Sequence, residues 1–196
     1  MQIKHHFTEK QFFFPNWKIT TLVLGTFNPK SKIIIDYYYG RERNKFWRAI
    51  ENIYSFPNRH VDNSFEKKFL FLQNAEFGCV DIIKSLEVSN EFLNNITGNG
   101  FSDSALFNQK HVKLNFQFEE IKLFLLKNKI AKVINTWGKL KGRKTFKIAI
   151  ADFKQFCQEN DIVYIEECPS PSGRSNSTVK EIADFYKIHL SKKTSS

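Results

Sequence analysis

The stretch Ile19-Thr-Thr-Leu-Val-Leu-Gly-Thr-Phe-Asn-Pro29 carries the first decision about the fold. Residues 19–24 form an apolar run too short for a core helix. Gly25 and the pair Asn28-Pro29 close it with turn-forming chemistry. An unbroken apolar run, rather than strict alternation, predicts a strand covered on both faces, as in a parallel sheet. Similar runs follow at 79–83, 132–136 and 162–165. Between them lie segments with apolar residues at helical spacing. Phe46, Trp47, Ile50 and Ile53 share one side of a helix over 44–53. Phe65, Phe69 and Leu72 do so over 64–75. Helices are also expected over 118–128, 146–160 and 177–189. Residues 86–112 are polar, carry Gly98 and Gly100, and are expected to be a long loop. Strands alternating with helices predict a three-layer α/β/α sandwich around a short, mainly parallel four-stranded sheet.

The chain has 196 residues, 41% of them hydrophobic and 26% charged, a balance that suits one globular domain. That domain is taken as 1–196, with residues 1–15 a flexible lead-in and 190–196 a flexible tail. No stretch of about 18 uncharged apolar residues occurs, so no membrane partner is expected. The start, MQIKHHFTEK, has no apolar signal-peptide core. The 3 cysteines are widely spaced and form no C-x-x-C pair. A reduced, cytoplasmic setting is the simplest reading, nucleoid-associated if the source is bacterial. There is no G-x-x-x-x-G-K-[ST] and no G-x-G-x-x-G, so neither a P-loop nor a dinucleotide fingerprint is present. The carboxylates and histidines are scattered, and no metal or other cofactor is expected. The protein is expected to be a monomer.

Charge supplies the first positive indication of function. Lys and Arg number 30 against 20 Asp and Glu, a net +10. Such an excess suits a polyanionic partner, and nucleic acid is the commonest. Between residues 121 and 151 there are nine basic side chains and no acid. The segment Arg41-Glu-Arg-Asn-Lys-Phe-Trp-Arg48 interleaves basics with aromatics, a pattern suited to phosphate contacts beside base stacking. A solvated helix face with snorkelling lysines is the bland alternative.

In open parallel sheets ligands sit beyond the carboxyl ends of the strands. Gly25-Thr-Phe-Asn-Pro29 follows the first strand, and Tyr37-Tyr-Tyr-Gly-Arg-Glu-Arg-Asn-Lys-Phe-Trp47 comes next. Val80-Asp-Ile-Ile-Lys-Ser85 lies at the second strand, Asn135-Thr-Trp-Gly138 ends the third, and Cys168-Pro-Ser-Pro-Ser-Gly-Arg-Ser-Asn176 follows the fourth. Amides, a carboxylate and aromatics therefore converge on one rim. No histidine lies in these segments, which makes Ser–His and Cys–His nucleophile systems hard to build.

In this order these motifs resemble the uracil-DNA glycosylase superfamily. Gly25-Thr-Phe-Asn-Pro29 and Pro169-Ser-Pro-Ser-Gly-Arg-Ser175 are similar to its two signature loops. Tyr38-Tyr39…Arg43-Asn44-Lys-Phe46-Trp47 resembles its hypoxanthine-DNA (deoxyinosine) glycosylase branch, as do Gly78…Asp81 and Phe101-Ser-Asp-Ser104. Two features depart from that branch. Asn28 looks more like the Gly-x-Asn-Pro of mismatch-specific uracil and thymine glycosylases. Cys168 stands where several superfamily members have a histidine. The resemblance spans about residues 19–185.

The resemblance implies a DNA-repair enzyme that flips a deaminated base, hypoxanthine or uracil, out of DNA and hydrolyses its N-glycosidic bond. A catalytically silent nucleic-acid-binding domain is the alternative. An asparagine carbonyl can hold the attacking water where the transition state is dissociative. Asn44 is the first candidate for that role and Asn28 the second. Their bland alternatives are a helix N-cap and a turn residue. Gly25, Thr26, Phe27, Tyr38, Tyr39, Asp81 and Asn135 are the implied base-binding set. Phe27 with Tyr38 or Tyr39 would be the stacking platform. Ser170, Pro171, Ser172, Gly173, Arg174 and Ser175, with Lys139, Lys141 and Arg143, are the implied DNA-contacting set. No Schiff-base lysine stands at the rim, Lys84 being the nearest, so a monofunctional enzyme is expected.

Overall fold

The computed structural model describes residues 1–30, 35–54, 65–98, 101–137 and 144–190. In chain order these form β1 (Gln2–Lys4), β2 (Thr21–Gly25), α1 (Phe46–Tyr54), α2 (Phe65–Asn74), β3 (Phe77–Asp81) and β4 (Ile83–Val88). Then come α3 (Leu93–Thr97), β5 (Val112–Phe116), α4 (Phe118–Lys127), β6 (Lys132–Asn135), α5 (Lys144–Glu159), β7 (Val163–Ile165) and α6 (Val179–Leu190). Single turns of tighter helix occupy Asn90–Phe92 and Asp103–Phe107.

The central sheet has the order β3-β2-β6-β7, and every described pairing in it is parallel. All five residues of β2 are buried, as a strand covered on both faces requires. Its side chains alternate between two cores. Leu22 and Leu24 pack with Val80, Val133 and the inner faces of α4 and α5. Val23 packs with Ile134, Cys79 and the inner faces of α1, α2 and α6. Each fully buried Leu or Val contributes roughly 1.5–3 kcal/mol by leaving water. The sandwich is therefore α1/α2/α6, sheet, α4/α5. No described helix is long and apolar enough to cross a membrane.

Three regions differ from the sequence expectation. Residues expected as a single strand at 79–83 belong to two strands of different sheets. The chain leaves the parallel sheet at Asp81 and enters an antiparallel sheet of order β1-β4-β5. The expected loop over 86–112 holds the end of β4, α3 and two helical turns, and it buries Ile96 and Leu106. Phe92, Leu93 and Ile96 do stand at helical spacing, but α3 is only 5 residues long, too short for a period to repeat. The expected lead-in is built into the sheet: β1 pairs with β4, and His5 bridges to Pro29. Pro15 packs so closely on Gly78 that a Cβ there would meet its Cγ at 2.2 Å.

Candidate active site

The β2 and β3 ends are in register, Gly25 opposite Asp81. Beyond them the ladder continues through Ile82 N–H to the Gly25 carbonyl (3.0 Å) and Ile83 N–H to the Thr26 carbonyl (3.1 Å). This places the Asp81 carboxylate, only 2% exposed, beside the loop that carries Asn28. The Asn28 amide donates from Nδ2 to Asp81 Oδ2 at 2.7 Å. A carboxylate only accepts here, so the contact determines which end of the amide is which. The nitrogen faces Asp81, and the carbonyl oxygen is the end left for other partners.

The same Asp81 oxygen takes a second donor, His5 Nε2, at 2.8 Å. His5 is buried. The rings of Phe7, Phe13, Phe27 and Tyr38 pack around it at 5.3–5.7 Å. Its other nitrogen, Nδ1, accepts from the Phe7 N–H at 3.1 Å. An acceptor nitrogen carries no proton, so the imidazole is the neutral Nε2–H tautomer that donates to Asp81. The main chain at Asp81 is also held: Gln117 Nε2 donates to the Asp81 carbonyl at 2.5 Å, and the Gln117 N–H donates to Ile82 O at 2.9 Å. No segment at the strand ends contains a histidine, so nothing local in the sequence marks His5 as a neighbour of this rim. Among the described residues its ring nitrogens bond to Asp81 and the Phe7 N–H, not to a Ser or Cys.

Tyr39 stands across from this group. Its backbone is left-handed, at φ 60°, which costs a non-glycine residue about 1 kcal/mol or more. The turn is closed by the Gly40 N–H donating to Tyr37 O at 3.0 Å. The Tyr39 ring stacks on Phe46 at 4.4 Å. Its hydroxyl lies 3.1 Å from Thr136 Oγ1, which itself donates to Leu24 O at 2.9 Å. Thr136 has one hydroxyl proton, so Tyr39 is the donor between them. Burial pushes the Tyr39 hydroxyl well above the usual tyrosine range. Asn135, at the end of β6 and 2% exposed, donates to the Tyr164 hydroxyl at 3.2 Å. Its Oδ1 is buried without a partner among the described residues.

Phe27 and Tyr38 sit differently from a stacking platform. They are 3% and 0% exposed, and the Tyr38 hydroxyl donates to Phe13 O at 2.8 Å. Both belong to the aromatic shell around His5, whose faces are closed to solvent. Asn44 adopts the bland arrangement weighed for it. Its Oδ1 accepts from the Phe46 N–H at 2.9 Å, capping the first N–H of α1 from two residues before it. The carbonyl that a water-holding role requires is thus engaged with the helix.

The Pro/Ser loop docks on this same helix start. Lys45 N–H donates to Pro171 O at 2.8 Å, filling a donor that the helix cannot satisfy itself. Lys45 Nζ donates to Ser175 O (2.8 Å) and Ser177 O (2.7 Å). Gly173 lies against Arg43, where a Cβ would sit 2.5 Å from the Arg43 carbonyl oxygen. The loop serines largely serve the loop: Ser175 Oγ donates to Ser170 O at 2.6 Å, and Ser172 Oγ accepts from the Arg174 N–H at 3.3 Å. Arg174 is exposed. Lys139, Lys141 and Arg143 lie outside the described residues. Cys168 points into the core, 3.5 Å from the Tyr186 hydroxyl, and burial pushes its thiol up to about 12. Lys84 is paired with Glu120 at 2.9 Å.

Arg41 adds a cation near the rim. Its guanidinium lies 5.0 Å from the centre of the Phe101 ring. Burial pushes it down, with the charges of Asp103 and Asp81 opposing. The Phe101–Ser104 motif and the Tyr39–Asn44 turn are thereby brought together.

No family model matches the chain, and no curated protein matches it. Among solved structures it is similar to the solution NMR structure of a Methanosarcina acetivorans protein provisionally assigned as a uracil DNA glycosylase, at 16% identity over 88% of this chain and 91% of that one, with a TM-score of 0.49.

Proposed function

We propose that this protein is a monofunctional DNA glycosylase that hydrolyses the N-glycosidic bond of a deaminated base flipped out of DNA, hypoxanthine first and uracil second. The observation that carries the reading is the Asn28–Asp81 contact at the carboxyl end of the central strand. It orients a partly exposed amide with its carbonyl oxygen available, at the rim where such sheets bind ligands. An amide carbonyl is too weak a base to take a proton early. It can hold a water against the sugar as the bond to the base breaks and the ring gains oxocarbenium character. The Asp81 charge behind the amide suits the positive charge that develops on the sugar. Asn28 therefore becomes the first candidate to hold the water, ahead of Asn44.

Tyr39, half-buried, is the rim aromatic suited to contact a flipped base. The loop 169–176, docked on α1, is suited to enter the gap left by the base, led by Arg174. The net charge of +10 favours the DNA backbone.

The test is a base-excision assay in EDTA. Oligonucleotides containing hypoxanthine, uracil or xanthine, single- and double-stranded, are incubated with protein and then treated with hot alkali. Alkali-dependent cleavage at one base, abolished in Asn28→Ala while DNA binding persists, is the expected result. Salt-sensitive binding with no cleavage at any base would sink the enzyme reading and leave the nucleic-acid-binding domain.

A further inference from the structure

We propose that His5 is a positioning residue of this site: its Nε2–H holds the Asp81 carboxylate in the place from which Asp81 orients the Asn28 amide. The inference rests on the glycosylase reading for its kinetic consequence, and on geometry alone for the positioning itself. His5, Asp81 and Asn28 form one chain of contacts through a single oxygen, Asp81 Oδ2, at 2.8 and 2.7 Å. The N-terminal segment grips the same loop a second time, because the His6 N–H donates to Asn28 O at 2.8 Å. His5 itself is anchored from its backbone, where its N–H donates to Lys84 O at 2.9 Å. One segment thus fixes the side chain of Asp81 and the main chain of Asn28 together.

The tautomer is part of the device. Phe7 N–H on Nδ1 forces the proton onto Nε2, so His5 can only donate to Asp81. Without that donor, the Asp81 carboxylate is free to rotate away from its position against Gly25, and Asn28 loses its reference. A misplacement of about 1 Å in such a group can cost on the order of 100-fold in rate.

Two substitutions separate the two ring nitrogens. In His5→Gln the amide Nε2 reaches the position of the lost ring donor. In His5→Asn the shorter amide reaches only the Phe7 N–H. Single-turnover excision at saturating protein, the Kd for a duplex containing a stable abasic analogue, and Tm are measured for both. The expected result for His5→Asn is a rate loss of roughly 10–100-fold at a Kd within about 3-fold of the parent. His5→Gln is expected to recover most of that rate. Equal loss in both variants, or loss that follows Tm rather than the donor, overturns the proposal.

A readout without activity keeps it testable if no base is excised by the parent protein, the result that would remove the function proposed above. Nitrogen NMR of the parent should show His5 protonated at Nε2 and bare at Nδ1. Hydrogen exchange at the Asn28 side-chain amide should be slow in the parent and in His5→Gln, and faster in His5→Asn. A proton on Nδ1, or exchange that is the same in all three, overturns the positioning role whatever the fate of the enzymatic reading.

Discussion

Gly25 shows how narrowly the site is built. A Cβ at this position would lie 2.1 Å from Asp81 Oδ1 and 3.0 Å from the Tyr39 hydroxyl. The clash is with a side chain, but not one free to swing away. Asp81 is tied to His5 and Asn28 and is 2% exposed. Gly25→Ala should therefore push the carboxylate off its position. The expected outcome is a drop of roughly 10–100-fold in single-turnover excision, with a lowered Tm in a thermal melt. An alanine variant with the parental rate would show that the Asp81 position does not matter to turnover. The Asn44 side chain illustrates the opposite case, a residue whose type suits two roles. Asn is among the strongest N-caps, and its place one residue before Lys45 already signalled that use. The cap is local and legible. Whether an Asn serves a helix or a substrate depends on what lies opposite it, which only packing supplies.

At the scale of elements, the loop 169–176 and the start of α1 behave as one unit. They are far apart in sequence and are joined by Lys45, Pro171, Ser175 and Ser177. Gly173 permits the contact, since any Cβ would sit 2.5 Å from Arg43 O and 2.7 Å from Arg43 Cβ. Gly173→Ala should lift the loop from the helix. Its Kd for DNA, read by fluorescence anisotropy, is expected to rise about tenfold, equivalent to about 1.4 kcal/mol. An unchanged Kd would remove the loop from the DNA interface. The next helix, α6, starts with a capping box that the sequence displays openly. Thr178 Oγ1 accepts from the Glu181 N–H at 3.1 Å, and Glu181 Oε2 accepts from the Thr178 N–H at 2.6 Å. The Thr178 N–H, and after it the Thr178 hydroxyl at 2.9 Å, both donate to that carboxylate and hold it below the usual range. The pattern Thr178-x-x-Glu181 marks that start in the sequence. Likewise, Val112, Leu114 and Phe116 alternate with Lys113 and Asn115, the signature of a half-buried strand. β5 is legible from those five residues.

For the whole molecule, the two cores on either side of the sheet leave no described thiol in contact with bulk water. Cys79, Cys157 and Cys168 are all buried. Burial pushes Cys157 and Cys168 up to about 12 and raises Cys79 well above its usual range. A thiol with a raised value stays protonated, and the thiolate is the species that reacts. At pH 8 the folded protein should therefore resist alkylation by iodoacetamide, and all three thiols should react once it is denatured, where the value returns to about 8.5. Mass spectrometry counts the adducts. Rapid alkylation of the native protein would contradict the packing of Cys168 against Tyr186. The same burial means that Cys168 serves the core rather than the rim.

The sequence alone determined the elements whose information is local. Short apolar runs, helical periodicity and turn residues specified the four-stranded parallel sheet and its flanking helices, because each signal is confined to neighbours along the chain. It also placed Asn28 just beyond one strand end and Asn135 at another, since position along a parallel strand settles the end at which a residue emerges, whereas Asp81, read in the middle of a strand over 79–83, ends β3 only in the folded chain. The tertiary structure alone decided which of them meet. His5 and Asp81 are 76 residues apart and are brought together by β1 pairing with β4 and by the bridge from His5 to Pro29. A pairing of that kind leaves no period, spacing or motif in either segment. It is selected by the closing of the sheet and the burial of an aromatic shell, which are properties of the folded chain as a whole.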